Sequence, residues 1–149
     1  MTAIIASNKW IAGDTFITYE PSFSGEAKVW VADGSAWGAA GDSSACSAFK
    51  LWTEGRGKKP NGKKSSKVDV LQLSPQKGLF LWSGAGLPML VEEEFYAIGT
   101  GGAFALGALC AGASPLDALE ISAKWSPATR LPGHIINVTD IPKRKRRGK

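Results

Sequence analysis

The chain has 149 residues, 44% of them hydrophobic, with 18 Lys and Arg against 13 Asp and Glu. This suits one domain with a substantial core, and no apolar run approaches the roughly 18 to 20 residues of a membrane-spanning helix, so no membrane segment is expected. Two cysteines and one histidine are too few and too far apart for a zinc cluster, and neither a metal nor a cofactor is expected.

In chain order, the first informative residue is Thr2, directly behind Met1. Removal of Met1, which aminopeptidases carry out before small side chains, would place a hydroxyl and a free amine on one residue. The apolar run Ala3-Ile4-Ile5-Ala6, the turn-prone Ser7-Asn8 and Trp10-Ile11-Ala12 closing on Gly13-Asp14 predict a hairpin with strands at 3–7 and 9–13. A terminus tied into a sheet is ordered, as a catalytic group must be. Lys28 stands inside the next strand, 27–32, among apolar neighbours. A lysine there needs a partner, and Asp14 is the candidate.

A strand at 35–40 leads to Asp42-Ser43-Ser44, a capping sequence for a helix running to about Trp52. A basic loop over 55–67 interrupts. Strands at 68–73 and 79–82 follow, joined by a turn from Pro75 to Gly78, and then a strand at 95–98. Gly99 to Gly102 opens a small-residue helix through about Cys110. A further helix starts at Ser114-Pro115-Leu116-Asp117, where Ser114 suits the cap, Pro115 the first turn and Asp117 the dipole; it ends by Trp125. The closing strand is 134–138. Cys46 and Cys110 fall in helix-like apolar stretches and are expected to be buried and reduced.

This order of elements predicts an α+β domain of packed antiparallel sheets with outer helices over residues 1–140, followed by a basic tail at 141–149. Twelve of the 18 basic residues lie in 56–67 and 143–149, so the net charge of +5 describes a loop and a tail, while the body is acidic. Both segments have the composition of solvated chain, or of a patch that docks an acidic partner. Nucleic acid is the weaker partner reading, because no aromatic residue interleaves the charges to stack bases. The start of the chain lacks a charged region, long apolar stretch and cleavage site, so the expected compartment is the cytoplasm.

Several segments taken together resemble a proteasome β-type subunit of the N-terminal nucleophile hydrolase superfamily, nearest to its short bacterial and phage forms. They are Thr2 with its apolar strand, Ile11-Ala12-Gly13-Asp14, Lys28-Val29, Trp37-Gly38-Ala39-Ala40-Gly41-Asp42 before a helix, and Ala97-Ile98-Gly99-Thr100-Gly101-Gly102-Ala103. The resemblance spans most of residues 2 to about 140 and implies a four-layer αββα sandwich. It also implies that Thr2 is the nucleophile, that Gly38 donates a backbone N–H to the oxyanion, and that Thr100 replaces a serine near the terminal amine. Where the family often carries an acidic residue before the last strand, this chain reads Trp125-Ser126-Pro127-Ala128-Thr129, with hydroxyls at Ser126 and Thr129. It is also shorter than usual subunits between the first helix and the central strands.

The chemistry follows group by group. A threonine hydroxyl needs a base, and a terminal α-amine with a reference pKa of about 7.7 to 8.0 is partly neutral at physiological pH. Lys28 would disfavour protonation of that amine and stabilise the deprotonated oxygen, and Asp14 would keep Lys28 charged and oriented. The small side chains of Gly38-Ala39-Ala40-Gly41 leave backbone N–H groups open to substrate. Competing chemistries lack their parts. His134 is the only histidine, no Gly-x-Ser-x-Gly elbow occurs, Glu92-Glu93-Glu94 reads as a solvated turn, and Gly-Thr-Gly-Gly lacks the lysine and spacing of a P-loop.

The leading expectation is a threonine peptidase acting on peptides or unfolded polypeptides inside a homo-oligomeric ring, with an ATPase unfoldase as a partner. A catalytically silent subunit acting in assembly or partner binding is the second reading. A small-amide hydrolase of the same superfamily is the third.

Overall fold

The computed structural model describes residues 2–16, 26–60, 68–83, 87–127 and 129–143. The parts of the expected basic loop and tail at 61–67 and 144–149 lie outside the described residues. The strands are β1 (Ile4–Ala6), β2 (Trp10–Gly13), β3 (Thr15–Phe16), β4 (Glu26–Ala27), β5 (Val29–Ala32), β6 (Ser35–Gly41), β7 (Val68–Ser74), β8 (Gly78–Ser83), β9 (Met89–Leu90), β10 (Tyr96–Ile98) and β11 (His134–Asn137). The helices are α1 (Ser43–Thr53), α2 (Gly102–Cys110) and α3 (Pro115–Trp125), and a 3-10 turn covers Val138–Asp140.

The strands form a four-stranded sheet ordered β10-β1-β2-β11, a five-stranded sheet ordered β5-β6-β7-β8-β9, and a short β3–β4 ladder. All described pairings are antiparallel. The two larger sheets pack face to face through Ile4, Ala6, Ile11, Val29, Leu71, Leu73 and Leu79. The alternate residues of the same strands face outward. Ala3, Ile5 and Ala12 pack against Ala105 and Leu109 of α2 and Ala118 and Leu119 of α3, whereas Trp37, Ala39 and Val70 pack against Ala45 and Phe49 of α1. This is the expected αββα sandwich, and the two-residue period of each strand feeds two cores at once.

Local chemistry sets the boundaries. Asp42 accepts the Ala45 N–H at 3.0 Å to cap α1, and Ser114 accepts the Asp117 N–H at 3.3 Å to cap α3, with Pro115 in its first turn. The β5–β6 hairpin turns at Asp33-Gly34, both with positive φ, the signature of a two-residue hairpin turn. Ile141, at the start of the expected tail, is buried in the inter-sheet core, so ordered packing continues to that residue.

The expectation for the cysteines needs correcting, since Cys110 is exposed and Cys46 only half-buried. Helix α2 is apolar all round, so apolar neighbours do not mark its buried face, and Phe104 on the same helix is 49% exposed. The strands β3, β4 and β9 have only two residues each, too few for a periodic signal.

Candidate active site

The site forms where β1, β2 and β5 meet and is organised around Asp14, which is fully buried. One of its oxygens, Oδ1, accepts the N–H of Ala3, the residue after Thr2, at 3.2 Å. The Lys28 ammonium lies 3.2 Å from Oδ1 and 3.3 Å from Oδ2. The second oxygen also accepts the Arg130 N–H at 3.0 Å. One carboxylate thereby ties the strand bearing Thr2 to the lysine selected from sequence and to a segment more than a hundred residues away. The backbone repeats the arrangement, because Asp14 N–H donates to the Ala3 carbonyl at 3.2 Å and Lys28 N–H donates to the Asp14 carbonyl at 3.3 Å.

The Lys28 side chain is 5% exposed. Burial pulls its pKa below the usual 10.5, against the opposing pull of the Asp14 charge and hydrogen bond. Cys46, near the start of α1, senses the same ammonium, yet burial first and the Asp42 charge second push its thiol up to about 11. At neutral pH Cys46 is therefore a protonated packing group and not a competing nucleophile.

Thr2 is itself buried, and its carbonyl accepts the Gly101 N–H at 3.0 Å. The turn that supplies this donor rests on α3, where Ser122 Oγ donates to the Gly101 carbonyl at 2.8 Å and lies 2.6 Å from Thr129 Oγ1. Ser122 and Thr129 are both buried. A Cβ on Gly101 would run into Thr129 Oγ1, so this cluster requires glycine there. Gly99, with φ +88°, packs against the Thr2 carbonyl.

Gly38 lies opposite Val29 in the β5–β6 ladder and over Ile4, two residues from Thr2. A methyl group on it would sit 2.7 Å from Ile4 Cγ2 and 3.2 Å from Ile11 Cδ1. Close sheet packing alone therefore demands glycine at this position, independently of any role in binding an oxyanion.

Of the residues selected from sequence, Asp14 and Lys28 are in direct contact, Asp14 reaches Thr2 only through the N–H of the next residue, Ala3, and Gly38 lies over the same strand. Thr100 belongs to the turn that holds Thr2, but its side chain is exposed and makes no hydrogen bond among the described residues. His134 lies at the start of β11, its Nε2 3.1 Å from Thr15 Oγ1, which also donates to the Pro132 carbonyl at 2.6 Å. Sequence reasoning missed Ser122, Gly101 and the Arg130 N–H. The last two act through backbone atoms, and Ser122, the one serine within α3, carries no local mark of its partner. Among the described residues no group of three or more His, Cys, Asp or Glu side chains has metal-binding geometry.

No family model matches the chain, and no curated protein matches it in sequence. Solved structures do match in shape. Eukaryotic HslV from Trypanosoma brucei superposes with a TM-score of 0.65 at 18% identity, covering 91% of this chain and 98% of that one. BPH from Thiobacillus denitrificans, in complex with epoxomicin, gives 0.59 at 20% identity, covering 92% and 98%. An Anbu mutant from Hyphomicrobium sp. strain MC1 gives 0.60 at 14% identity, covering 92% and 81%. The order of layers, the span of the match and the buried β1 that follows Thr2 agree in one conclusion: the chain has the fold of the proteasome-type N-terminal nucleophile hydrolase superfamily.

Proposed function

We propose that the protein is a threonine hydrolase of proteasome type that cleaves peptide bonds through an acyl-enzyme on Thr2 once Met1 has been removed. The observation that carries this reading is the shared Asp14 carboxylate, which holds the Ala3 N–H and the Lys28 ammonium at one point beside Thr2. In the reaction Thr2 Oγ attacks the scissile carbonyl while its proton passes to the free α-amine of the same residue. The charged Lys28 lowers the cost of the anionic oxygen and disfavours protonation of the amine. Backbone N–H groups around Gly38 serve the oxyanion. Collapse of the tetrahedral intermediate expels the amine product, which leaves with the proton held by the α-amine. Water then attacks the ester, the α-amine again taking and returning the proton, and Thr2 is regenerated.

Thr100, Ser126 and Thr129 are assigned to the polar surroundings of that amine. Peptides or unfolded chains are the substrate class, and a homo-oligomeric ring served by an ATPase unfoldase is the working form. The oligomer is supported by the exposed Phe104, Leu116, Ile121 and Trp125 on the outer helices.

The test is the intact mass of the purified protein before and after exposure to epoxomicin. Loss of Met1 plus one inhibitor adduct, absent in Thr2→Ala, is the expected result. A retained Met1 with no adduct overturns the peptidase reading and leaves the silent subunit.

A further inference from the structure

The peptide plane between Thr2 and Ala3 is gripped at both of its polar ends. Its N–H, on Ala3, donates to Asp14 Oδ1 at 3.2 Å, and its carbonyl, on Thr2, accepts the Gly101 N–H at 3.0 Å. Once Met1 is removed, that plane is the one peptide unit attached to Thr2. A terminal residue has no preceding peptide bond to hold it, so the direction in which its amine and hydroxyl point is set outward from this plane.

The two grips are not equally stiff by themselves. Asp14 is fixed by the Lys28 ammonium and the Arg130 N–H. Gly101 belongs to the run Gly99-Thr100-Gly101-Gly102, in which three of the four residues are glycine, the residue with the most backbone freedom to lose. A turn of this composition needs to be held from outside.

Ser122 supplies that hold. The buried residues of α3 are Ala118, Leu119 and Ser122, and the first two pack with Ala3, Ile5 and Ala12 in an apolar cluster. Ser122, fully buried beside them, brings a hydroxyl to a position that an alanine would fill. A serine inside a helix commonly bonds back to a carbonyl of its own preceding turn. Ser122 Oγ instead donates at 2.8 Å to the Gly101 carbonyl, 21 residues away. Its single hydrogen is thereby used, so in the 2.6 Å contact with Thr129 Oγ1 the threonine is the donor. A methyl group on Gly101 would lie 3.1 Å from Ser122 Oγ and 3.2 Å from Ala3 Cβ, so the hydroxyl, the turn and the start of the first strand meet at one point.

We infer that Ser122 is a positioning residue for Thr2 that acts through the Gly101 turn: its hydroxyl holds the Gly101 carbonyl, and the Gly101 N–H thereby stays aimed at the Thr2 carbonyl. Ser122 touches neither substrate nor the reacting atoms. The catalytic consequence rests on the reading of Thr2 as the nucleophile, whereas the mechanical one does not.

The test compares Ser122→Ala with the double variant Ser122→Ala and Thr129→Val. The single variant leaves the Thr129 hydroxyl buried without its acceptor. The double variant removes both hydroxyls, and replacing both partners of a hydrogen bond by apolar groups of the same shape can be nearly neutral. The double variant is therefore expected to melt closer to the wild type than the single one, although neither restores the hold on the Gly101 carbonyl. Amide hydrogen exchange is read in each variant against the β6–β7 ladder, which reports opening of the whole domain. It is expected to quicken at least tenfold at Gly101 and Ala3 in both variants. The rate of epoxomicin labelling is expected to fall at least tenfold in both, at a temperature where circular dichroism reports folded protein. Wild-type protection of Gly101 and Ala3 in the double variant, or labelling that recovers along with the melting temperature, overturns the inference. A wild-type protein that takes no epoxomicin overturns the reading of Thr2 as nucleophile instead, and exchange at Gly101 and Ala3 then decides the role of Ser122.

Discussion

Gly99 leaves no room for a side chain above Thr2. Its φ is +88°, a conformation that L side chains rarely adopt, and a Cβ built on it would lie 2.8 Å from the Thr2 carbonyl carbon and closer still to the oxygen. Gly99→Ala must therefore either change the turn or push the first residue of the site out of place. We expect a loss of about 1–3 kcal/mol in stability. A larger fall in epoxomicin labelling at temperatures where circular dichroism still reports folded protein would separate displacement of Thr2 from simple unfolding.

Removal of the Asp14 carboxylate has a different signature. Asp14→Ala leaves the Lys28 ammonium buried without its ion-pair partner and strips the acceptor from the Ala3 and Arg130 N–H groups. Breaking a buried pair from one side costs about 3–5 kcal/mol. The double variant Asp14→Ala with Lys28→Met is expected to recover part of that loss in urea denaturation while remaining inactive. Equal destabilisation by the single and double variants would contradict this account.

The pH dependence follows from Lys28. Its folded pKa lies below the usual 10.5 because burial disfavours the charge. Between the folded and unfolded values the unfolded chain holds more protons, so this group makes stability rise with pH across that window. In the proposed reaction activity moves the other way, since that reaction uses the charged form. The alkaline limb of the rate profile is expected below pH 10.5 and to be missing from the residual activity of Lys28→Arg.

Ser122→Ala tests the support beneath the Gly101 turn. The hydroxyl joins the Gly101 carbonyl to Thr129, and its loss leaves both without that partner in a buried setting. The expected cost is about 1–3 kcal/mol, with Ser122→Thr milder if the added methyl fits. Thermal denaturation of the two variants gives the comparison.

The two cysteines should be distinguishable in a single labelling experiment. Cys110 is exposed, whereas Cys46 is half-buried with its thiol pushed up to about 11. At pH 8 a thiol reagent is expected to modify Cys110 promptly and Cys46 only after denaturation. Rapid modification of both in the native protein would be inconsistent with the burial of Cys46.

Most of the sandwich could be read along the chain because its signals are local. Asp42 and Ser114 announce their helices through side-chain caps, and the turn before Gly78 is fixed by residues within a few positions. The Asp14–Lys28 pair was legible for a related reason, since a lysine among apolar neighbours must find a carboxylate. Long-range pairing leaves no such trace. Nothing local says that β1 sits between β2 and β10, or that the Arg130 N–H completes the Asp14 site. The cluster of Trp37, Trp52 and Trp82 was hidden because its rings come from a helix and two strands far apart in the chain. The remark that no aromatic residue interleaves the basic charges holds along the sequence, yet in space Lys59 lies over two indoles.

The position of β1 has a consequence for when the site comes into being. The first strand is the inner member of its sheet, its neighbour β10 ends at Ile98, Gly101 secures the Thr2 carbonyl, and Arg130 closes the Asp14 carboxylate. A ribosome that has synthesised two thirds of the protein has not yet supplied the Gly101 and Arg130 N–H groups that complete these surroundings. One of the earliest residues to appear thus waits for contacts from the last third of the chain, and a half-made chain holds the candidate site incomplete.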